Sequence, residues 1–278
     1  IAAVVPFRGR RSHMEAFGRH IAAFLASPEA SALCWSFFVV EQYDADLFNR
    51  GWLFNVGLAL AESGGERFRC VVIQDLDTLP EIGAGVDFSN CSIPTQLSSE
   101  IQCYGWLPPY ASNAGGVVAI KPEHWYQVNG FANDYQGWGG EDDDLRLRLH
   151  ATRLLRGSCG SFCDLGDRGF EKEANLTEFI GRPVRGRGRF ICLDEGSHTA
   201  RRHGDMDGMK AMLTQMRKGS IRWAADGLSD LRFGLVGHQV RGFPGAPVPE
   251  AARLHWVRAV PALAGRFEPR RVRLVLGG

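Results

Sequence analysis

Cys70-Val71-Val72-Ile73-Gln74-Asp75-Leu76-Asp77 is the stretch on which the fold turns. Its first five residues form a short apolar run, the pattern of a strand buried on both faces. The run breaks directly into two carboxylates separated by one leucine. Strands buried on both faces belong to sheets with helices packed on either side, and such sheets present ligands beyond the carboxyl ends of their strands. Toward the N-terminus, Ile1 to Phe7 is another apolar run, stopped by the basic turn Arg8-Gly9-Arg10-Arg11. Met14, Phe17, Ile21, Phe24 and Leu25 follow at helical spacing. Ser36 to Glu41 and then Asn49 to Ser63 repeat strand and helix. The alternation predicts a parallel, doubly wound α/β sheet.

Toward the C-terminus the pattern loosens over Pro80 to Pro109, and Gly115 to Ile120 restores a strand. Pro122 to Val128 reads as a helix with proline at its first position. A glycine-rich loop, Gly137 to Gly140, enters an acidic helix that runs from Glu141 through Leu155. Gly157 to Arg189 shows little periodicity. A helix carrying Met209, Met212, Leu213 and Met216 is expected beyond Asp205, and Arg271 to Leu276 alternates as a closing strand does.

A chain of 278 residues with 45% hydrophobic and 23% charged residues fits one large α/β domain. Thirty-two basic against 31 acidic residues leave a charge of +1, which removes the broad electrostatic case for nucleic acid or an anionic membrane surface. No run of about 20 apolar residues could span a bilayer. Because the chain starts at Ile1 without methionine, an upstream signal or membrane anchor is expected to have been removed. The seven cysteines form no CxxC pair and no zinc-like spacing. Two sequons, Asn90-Cys91-Ser92 and Asn175-Leu176-Thr177, fit a secretory-pathway glycoprotein in which some cysteines pair. The odd count leaves at least one thiol unpaired within the chain.

The candidate chemistry lies at four places. Asp75 and Asp77 stand where an α/β sheet offers ligands, and oxygen donors suit a hard divalent cation that can neutralise a diphosphate. Standing alone, the same D-x-D pattern also fits an acidic turn. Gly137-Trp138-Gly139-Gly140-Glu141-Asp142-Asp143-Asp144 is more specific. Four adjacent carboxylates repel one another, and a helix N-terminus offsets part of that cost. A tryptophan among glycines gains little unless it closes on a ligand, so Trp138 reads as part of a lid over a sugar. Arg8, Arg10, Phe48 and Arg50 place guanidinium and aromatic groups after the first strand and at the start of the second helix, where phosphate or a uracil ring could be held. His198 and His203 sit in an arginine-rich loop and offer imidazole to a metal.

The order PFRGR, FNRGWLFNVG, DLDTLP, AGGVVAI, NGFANDYQGWGGEDDD, RRHGD and DGLSDL, from Val4 to about Leu231, resembles the β-1,4-galactosyltransferase family. The resemblance implies a GT-A type fold, a Rossmann-like mixed sheet flanked by helices in a single domain. Residues 1–120 would mainly bind the nucleotide sugar, and residues 121–278 would carry the acceptor site, the mobile loop and the catalytic carboxylates. It implies Mn²⁺ held by Asp77 and His203, with Asp75 in the same nucleotide-contacting motif. Pro6, Phe7, Arg8, Arg10, Phe48 and Arg50 match positions that hold the uridine and phosphates. Trp138 would contact donor and acceptor, and Gly115 would line the donor site. Glu141 and Asp142 would bind the sugars, with Asp142 as catalytic base. The activity implied is inverting transfer of galactose or N-acetylgalactosamine from a UDP-sugar to a glycan acceptor, forming a β-1,4 linkage. The implied setting is the Golgi lumen, as the ectodomain of a type II membrane protein anchored through an upstream segment.

Departures bear on the substrates. Ala200 stands where many members have a metal-coordinating methionine, and Asn113 stands where users of UDP-galactose commonly have tyrosine. A smaller residue there implies room for an N-acetyl group. The acceptor-binding helix, Met209 to Trp223, matches poorly, so N-acetylglucosamine, glucose and xylose stay open as acceptors. Two other functions compete: a catalytically silent carbohydrate-binding relative and a metal-dependent phosphohydrolase.

Overall fold

The computed structural model describes residues 1–137, 139–158, 178–193, 207, 210–211, 213–214, 221–240, 242–244 and 252–261. The chain opens with β1 (Ala2–Phe7), α1 (Arg11–Leu25), α2 (Pro28–Ser31), β2 (Trp35–Gln42), α3 (Arg50–Ser63) and β3 (Val71–Ile73). Each element predicted from Ile1 to Gln74 is present. The short strands β4 (Thr78–Pro80), β5 (Thr95–Gln96) and β6 (Glu100–Ile101) follow in the loosely patterned stretch. Next come β7 (Val118–Ile120), α4 (Pro122–Gln127), α5 (Glu141–Ala151), β8 (Arg189–Cys192), β9 (Phe233–Val240) and β10 (Ala252–Pro261).

One sheet of seven strands, in the order β5-β7-β3-β1-β2-β10-β9, runs through both halves of the chain. Its centre is parallel: β1 pairs with β2 and β3, and β10 with β2. The sheet is mixed rather than wholly parallel, because β7 runs antiparallel to β3, β5 to β7 and β9 to β10. A parallel neighbour needs a long crossover, usually a helix. The segment between β3 and β7 holds only short strands, turns and a single 3-10 turn at Gln102–Tyr104. β7 therefore returns antiparallel, with Val71 opposite Ile120 and Ile73 opposite Val118. A second, three-stranded sheet, β4-β8-β6, flanks the end of β3.

Alternation along the strands splits the core between the two faces of the main sheet. Ala3, Val5, Val39 and Val72 pack against Met14, Phe17, Ile21 and Phe24 of α1. Val4, Val40, Ile73 and Val118 pack on the other face against Leu53 and Val56 of α3 and Leu145 and Leu149 of α5. The side chain of Asn49 caps α3 by accepting from the Trp52 amide at 2.9 Å. The same residue donates to the Asn133 carbonyl at 2.6 Å, which fixes the start of α3 against the segment leading into the glycine-rich loop.

Cysteines 70 and 91 form a disulfide, as do Cys103 and Cys192, and the thiol of Cys34 is free and exposed. Asn90 of the first sequon is exposed, and Asn175 of the second lies outside the described residues. Beyond Asp205 the described residues Lys210, Ala211, Leu213 and Thr214 are helical, and Leu213 is buried against Tyr135. The closing strand expected at Arg271 to Leu276 lies outside the described residues. Among the described residues no helix is long and apolar enough to cross a membrane.

Candidate active site

Three element ends meet at one cleft: the carboxyl end of β3, the N-terminus of α3 and the N-terminus of α5. Arg50, the first residue of α3, joins them. Its Nε donates to Asp75 Oδ1 at 2.7 Å and its Nη2 to Asp75 Oδ2 at 3.0 Å, a two-pronged contact. Nη1 donates to Glu141 Oε1 at 3.3 Å, and Nη2 also reaches the Gly116 carbonyl at 3.3 Å. The guanidinium lies over the Phe54 ring, 4.7 Å from its centroid. Asp77, two residues beyond Asp75, accepts from Arg10 Nη1 at 2.8 Å.

The acidic run owes its place to the loop before it. Gly137, Gly139 and Gly140 have φ of 87°, 105° and 92°, a region where side-chain-bearing residues are strained. This turn delivers Glu141 to Asp144 as the first turn of α5, where the helix dipole favours negative charge. The four carboxylates then go to four different partners. Glu141 faces Arg50, as above. Asp142 Oδ1 accepts from the Asp143 amide at 3.0 Å, and its Oδ2 accepts from Asn113 Nδ2 at 3.5 Å. Asp143 Oδ1 accepts from the Tyr110 hydroxyl at 2.8 Å. Asp144 turns inward to Arg148 and to the Tyr135 hydroxyl, the latter at 3.1 Å. Asp142 Oδ2 lies so close over Gly115 that a Cβ at that position would collide with it. Only glycine at residue 115 allows this carboxylate its position.

Charge is concentrated enough to move proton equilibria. Burial, and then the charge of Asp142, push Glu141 up to about 7 against the opposing pull of Arg50. Burial also raises Asp75, although Arg50 opposes it. Burial disfavours the Arg50 cation, yet Asp75 and Glu141 together hold it above the ordinary arginine value. The cleft is thus a tight mixture of opposite charges.

The structure brings Arg10, Arg50, Asp75, Asp77, Asn113, Gly115, Glu141 and Asp142 to this one cleft. Pro6 and Phe7 end β1 and are buried, with the Phe7 ring edge-on to Trp256 at 5.9 Å. Arg8 donates to the Asp46 carbonyl, and Phe48 is half-buried against the α3 side of the core. Trp138, His198 and His203 lie outside the described residues. Among the described residues no group of three or more His, Cys, Asp or Glu is arranged to hold a metal ion. The donor chemistry of Asp77 nonetheless fits a hard divalent cation.

Other polar residues of the region were not singled out by sequence. Tyr110, Gln96 and Arg182 carry no motif signal. Arg148 had one available: it follows Asp144 at i+4 spacing on a helix. Asp226, in the quoted DGLSDL, accepts from the Asn133 amide at 2.7 Å and so ties that motif to the segment before the glycine-rich loop.

Two family models match the chain. The N-terminal region of glycosyl transferase group 7 matches residues 1–86, and the model described as N-terminal domain of galactosyltransferase matches residues 95–158. β-1,4-galactosyltransferase 6 of Rattus norvegicus is 36% identical over 151 residues, 54% of this chain and 38% of the relative. β-1,4-galactosyltransferase 3 of Cricetulus griseus is 32% identical over 188 residues, 65% of this chain and 47% of the relative. The chain thus spans less than half the length of these curated relatives. Among solved structures, the catalytic domain of Drosophila β1,4-galactosyltransferase 7 in complex with xylobiose superposes with a TM-score of 0.64 at 21% identity, covering 94% of both chains. A mutant of that enzyme in complex with manganese, UDP-Gal and xylobiose gives 0.66 at 20% identity, again covering 94% of both chains. The expected GT-A architecture is therefore the observed one, and with both family models aligned across the segments that build the cleft, the chain belongs to the β-1,4-galactosyltransferase family.

Proposed function

We propose that the protein is an inverting, manganese-dependent transferase that moves galactose or N-acetylgalactosamine from its UDP-sugar to a hydroxyl of a glycan, forming a β-1,4 linkage. The observation that carries this reading is Arg50, which links Asp75 at the end of β3 to Glu141 at the start of α5. It joins the carboxylates that would serve the diphosphate to those that would serve the sugars. Pro6, Phe7, Arg8, Arg10, Phe48 and Arg50 would hold the uridine and phosphates, and Gly115 would line the donor sugar's place. Residues 1–120 would supply most of the donor site and residues 121–278 most of the acceptor site.

In the reaction, Asp142 takes the proton of the acceptor hydroxyl as that oxygen forms a bond to the anomeric carbon from the face opposite UDP. The bond from that carbon to the phosphate oxygen breaks, its electron pair leaves with UDP, and an α-linked donor gives a β-linked product. Arg10 and Arg50 stabilise the negative charge that gathers on the diphosphate. Mn²⁺ held by Asp77 and His203 would supply further positive charge there when bound. Manganese and UDP-Gal in the Drosophila mutant complex support this choice of metal and donor. Trp138, on the loop before Glu141, would close over the sugars and keep water from the donor. Asn113 at the donor site leaves space that favours N-acetylgalactosamine as the alternative sugar. The two disulfides support an oxidising compartment, and the Golgi lumen is the one that fits this reading.

The test is a screen of UDP-galactose against UDP-N-acetylgalactosamine, with Mn²⁺ and with N-acetylglucosamine, glucose or xylose as acceptor. Acceptor-dependent UDP release is expected. Release of inorganic phosphate instead would indicate a hydrolase, and UDP binding without turnover a silent relative. Asp77→Ala should weaken Mn²⁺-dependent UDP binding by more than about tenfold, since changes even outside the metal's direct ligands act on that scale. Calorimetry with UDP in the presence and absence of Mn²⁺ reads the effect, and unchanged affinity would exclude Asp77 as a metal ligand.

A further inference from the structure

Arg182 lies in a stretch without periodicity, yet it begins a chain of hydrogen bonds that ends at Asp142. Its Nε donates to Gln96 Oε1 at 2.9 Å, and its Nη2 donates to the carbonyls of Ala111 at 2.7 Å and Asn113 at 3.1 Å. Gln96 Nε2 donates to Asn113 Oδ1 and to the Gly115 carbonyl, the latter at 3.0 Å. Asn113 Oδ1 accepts a second bond from the Gly115 amide at 3.3 Å, and Asn113 Nδ2 faces Asp142 Oδ2 at 3.5 Å. Gln96 and Asn113 are buried, with exposures of 0% and 4%.

The two ends of a side-chain amide have nearly the same size, so partners decide which end points where. A guanidinium can only donate, and burial that lowers Arg182 to about 10 leaves it charged at neutral pH. Gln96 must therefore turn its oxygen to Arg182 and its nitrogen to Asn113. The Gly115 carbonyl, which accepts from the same nitrogen, independently demands that orientation. Asn113 in turn faces two donors, Gln96 Nε2 and the Gly115 amide, and must answer with its oxygen. Its N–H group is left pointing at the carboxylate over Gly115.

We propose that Arg182 is a positioning residue which, through Gln96 and Asn113, holds an N–H donor against Oδ2 of Asp142 and fixes the direction in which that carboxylate meets the acceptor hydroxyl. The inference rests on Asp142 being the base. It also gives Asn113 a task beyond leaving room for a donor substituent. With its oxygen engaged twice on the side of Gln96, Asn113 acts toward the cleft as a donor. A proton acceptor held out of line costs turnover without weakening the nucleotide's own contacts.

Gln96→Glu keeps the acceptor that Arg182 needs and replaces the donor that faces Asn113, so the pair with Arg182 preserves the local fold while the amide of Asn113 is driven to turn over. Gln96→Leu removes the link without adding charge. Both should lower kcat by about tenfold or more while KM for the UDP-sugar stays within about twofold, because misplacement of a reacting group by a fraction of an ångström acts on that scale. In an Asp142→Asn background the same changes should have no further effect, since the group they position is gone. Arg182→Lys, which keeps a donor-only group, should retain more turnover than Arg182→Met, a comparison that holds even if the Gln96 variants fold poorly. Wild-type kcat in both Gln96 variants, or a loss carried by KM instead, overturns the proposal. An Asp142→Asn enzyme that is fully active overturns instead the reading on which it rests.

Discussion

Asp142→Asn is expected to lower kcat by roughly a thousandfold, the middle of the range associated with removing a positioned general base. UDP affinity in the presence of Mn²⁺ should change by less than about twofold, because no phosphate or uridine contact is assigned to this side chain. The substitution is close to isosteric. The asparagine oxygen can still accept from the Asp143 amide, as Oδ1 does in the wild type at 3.0 Å. Its nitrogen, however, would meet the Nδ2 of Asn113 where Oδ2 accepts from it now, and an amide cannot take up a proton at neutral pH. The helix start keeps Glu141, Asp143 and Asp144, so the local fold loses one favourable charge near the dipole and little else. Acceptor-dependent UDP release and calorimetry with UDP, run on the same preparation, separate chemistry from binding. A variant that turns over at the wild-type rate removes Asp142 from the base role.

Arg148→Met should produce the largest loss of stability. The Arg148 side chain is 1% exposed and the Asp144 side chain 4%, and the two form a buried ion pair one turn apart on α5. Arg148 Nη1 also donates to the Asp226 carbonyl at 2.8 Å, and it reaches the Gly130 carbonyl at 3.4 Å. Methionine would fill much of the volume but supply no donor. Asp144 would stay buried without this cation, and the carbonyls at Gly130 and Asp226 would lose a donor. Breaking one side of a buried pair costs about 3–5 kcal/mol. For a domain of this size that corresponds to a fall in Tm of roughly 10 °C. Asp144→Asn in the same chain should recover part of the loss, because the stranded charge is gone. A drop of under about 1 kcal/mol in the single variant, read by denaturant unfolding, would show that the pair contributes little. Because α5 also presents Glu141 and Asp142, the variant should lose activity at temperatures well below its own midpoint.

The sequence was most legible where short-range pattern and burial coincide. The first three strands are built on continuous apolar runs, α1 carries apolar residues at helical spacing, α3 is apolar nearly all round, and each lies close to where the sequence put it. The acidic start of α5 was equally visible, because a glycine-rich loop followed by four carboxylates marks the entry to a helix. Antiparallel β7 reads like any other apolar run, and only the lack of a crossover helix before it foretells its direction. β10 was missed because Arg253, His255 and Arg258 interrupt its apolar residues. Its place beside β2, with Ala252 opposite Trp35, is a contact across more than two hundred residues. The same reason hid Arg182. Its partners Gln96, Ala111 and Asn113 lie 86, 71 and 69 residues away along the chain, and no local pattern records such a meeting. In the cleft, the motifs named the residues, while the connections among them came only from the fold.

The bridge between Cys103 and Cys192 closes a loop that contains all of α5. A single peptide-bond cut anywhere inside that loop leaves the two fragments covalently joined until a reductant is added. Asp75 and Asp77 lie on the upstream fragment whatever the cut. When the cut falls before Glu141, the acidic helix start stays with the downstream fragment, and its only covalent tie to the upstream fragment is through sulfur. Nicked protein can thus pass for intact by size under oxidising conditions while its two sets of carboxylates sit on different polypeptides.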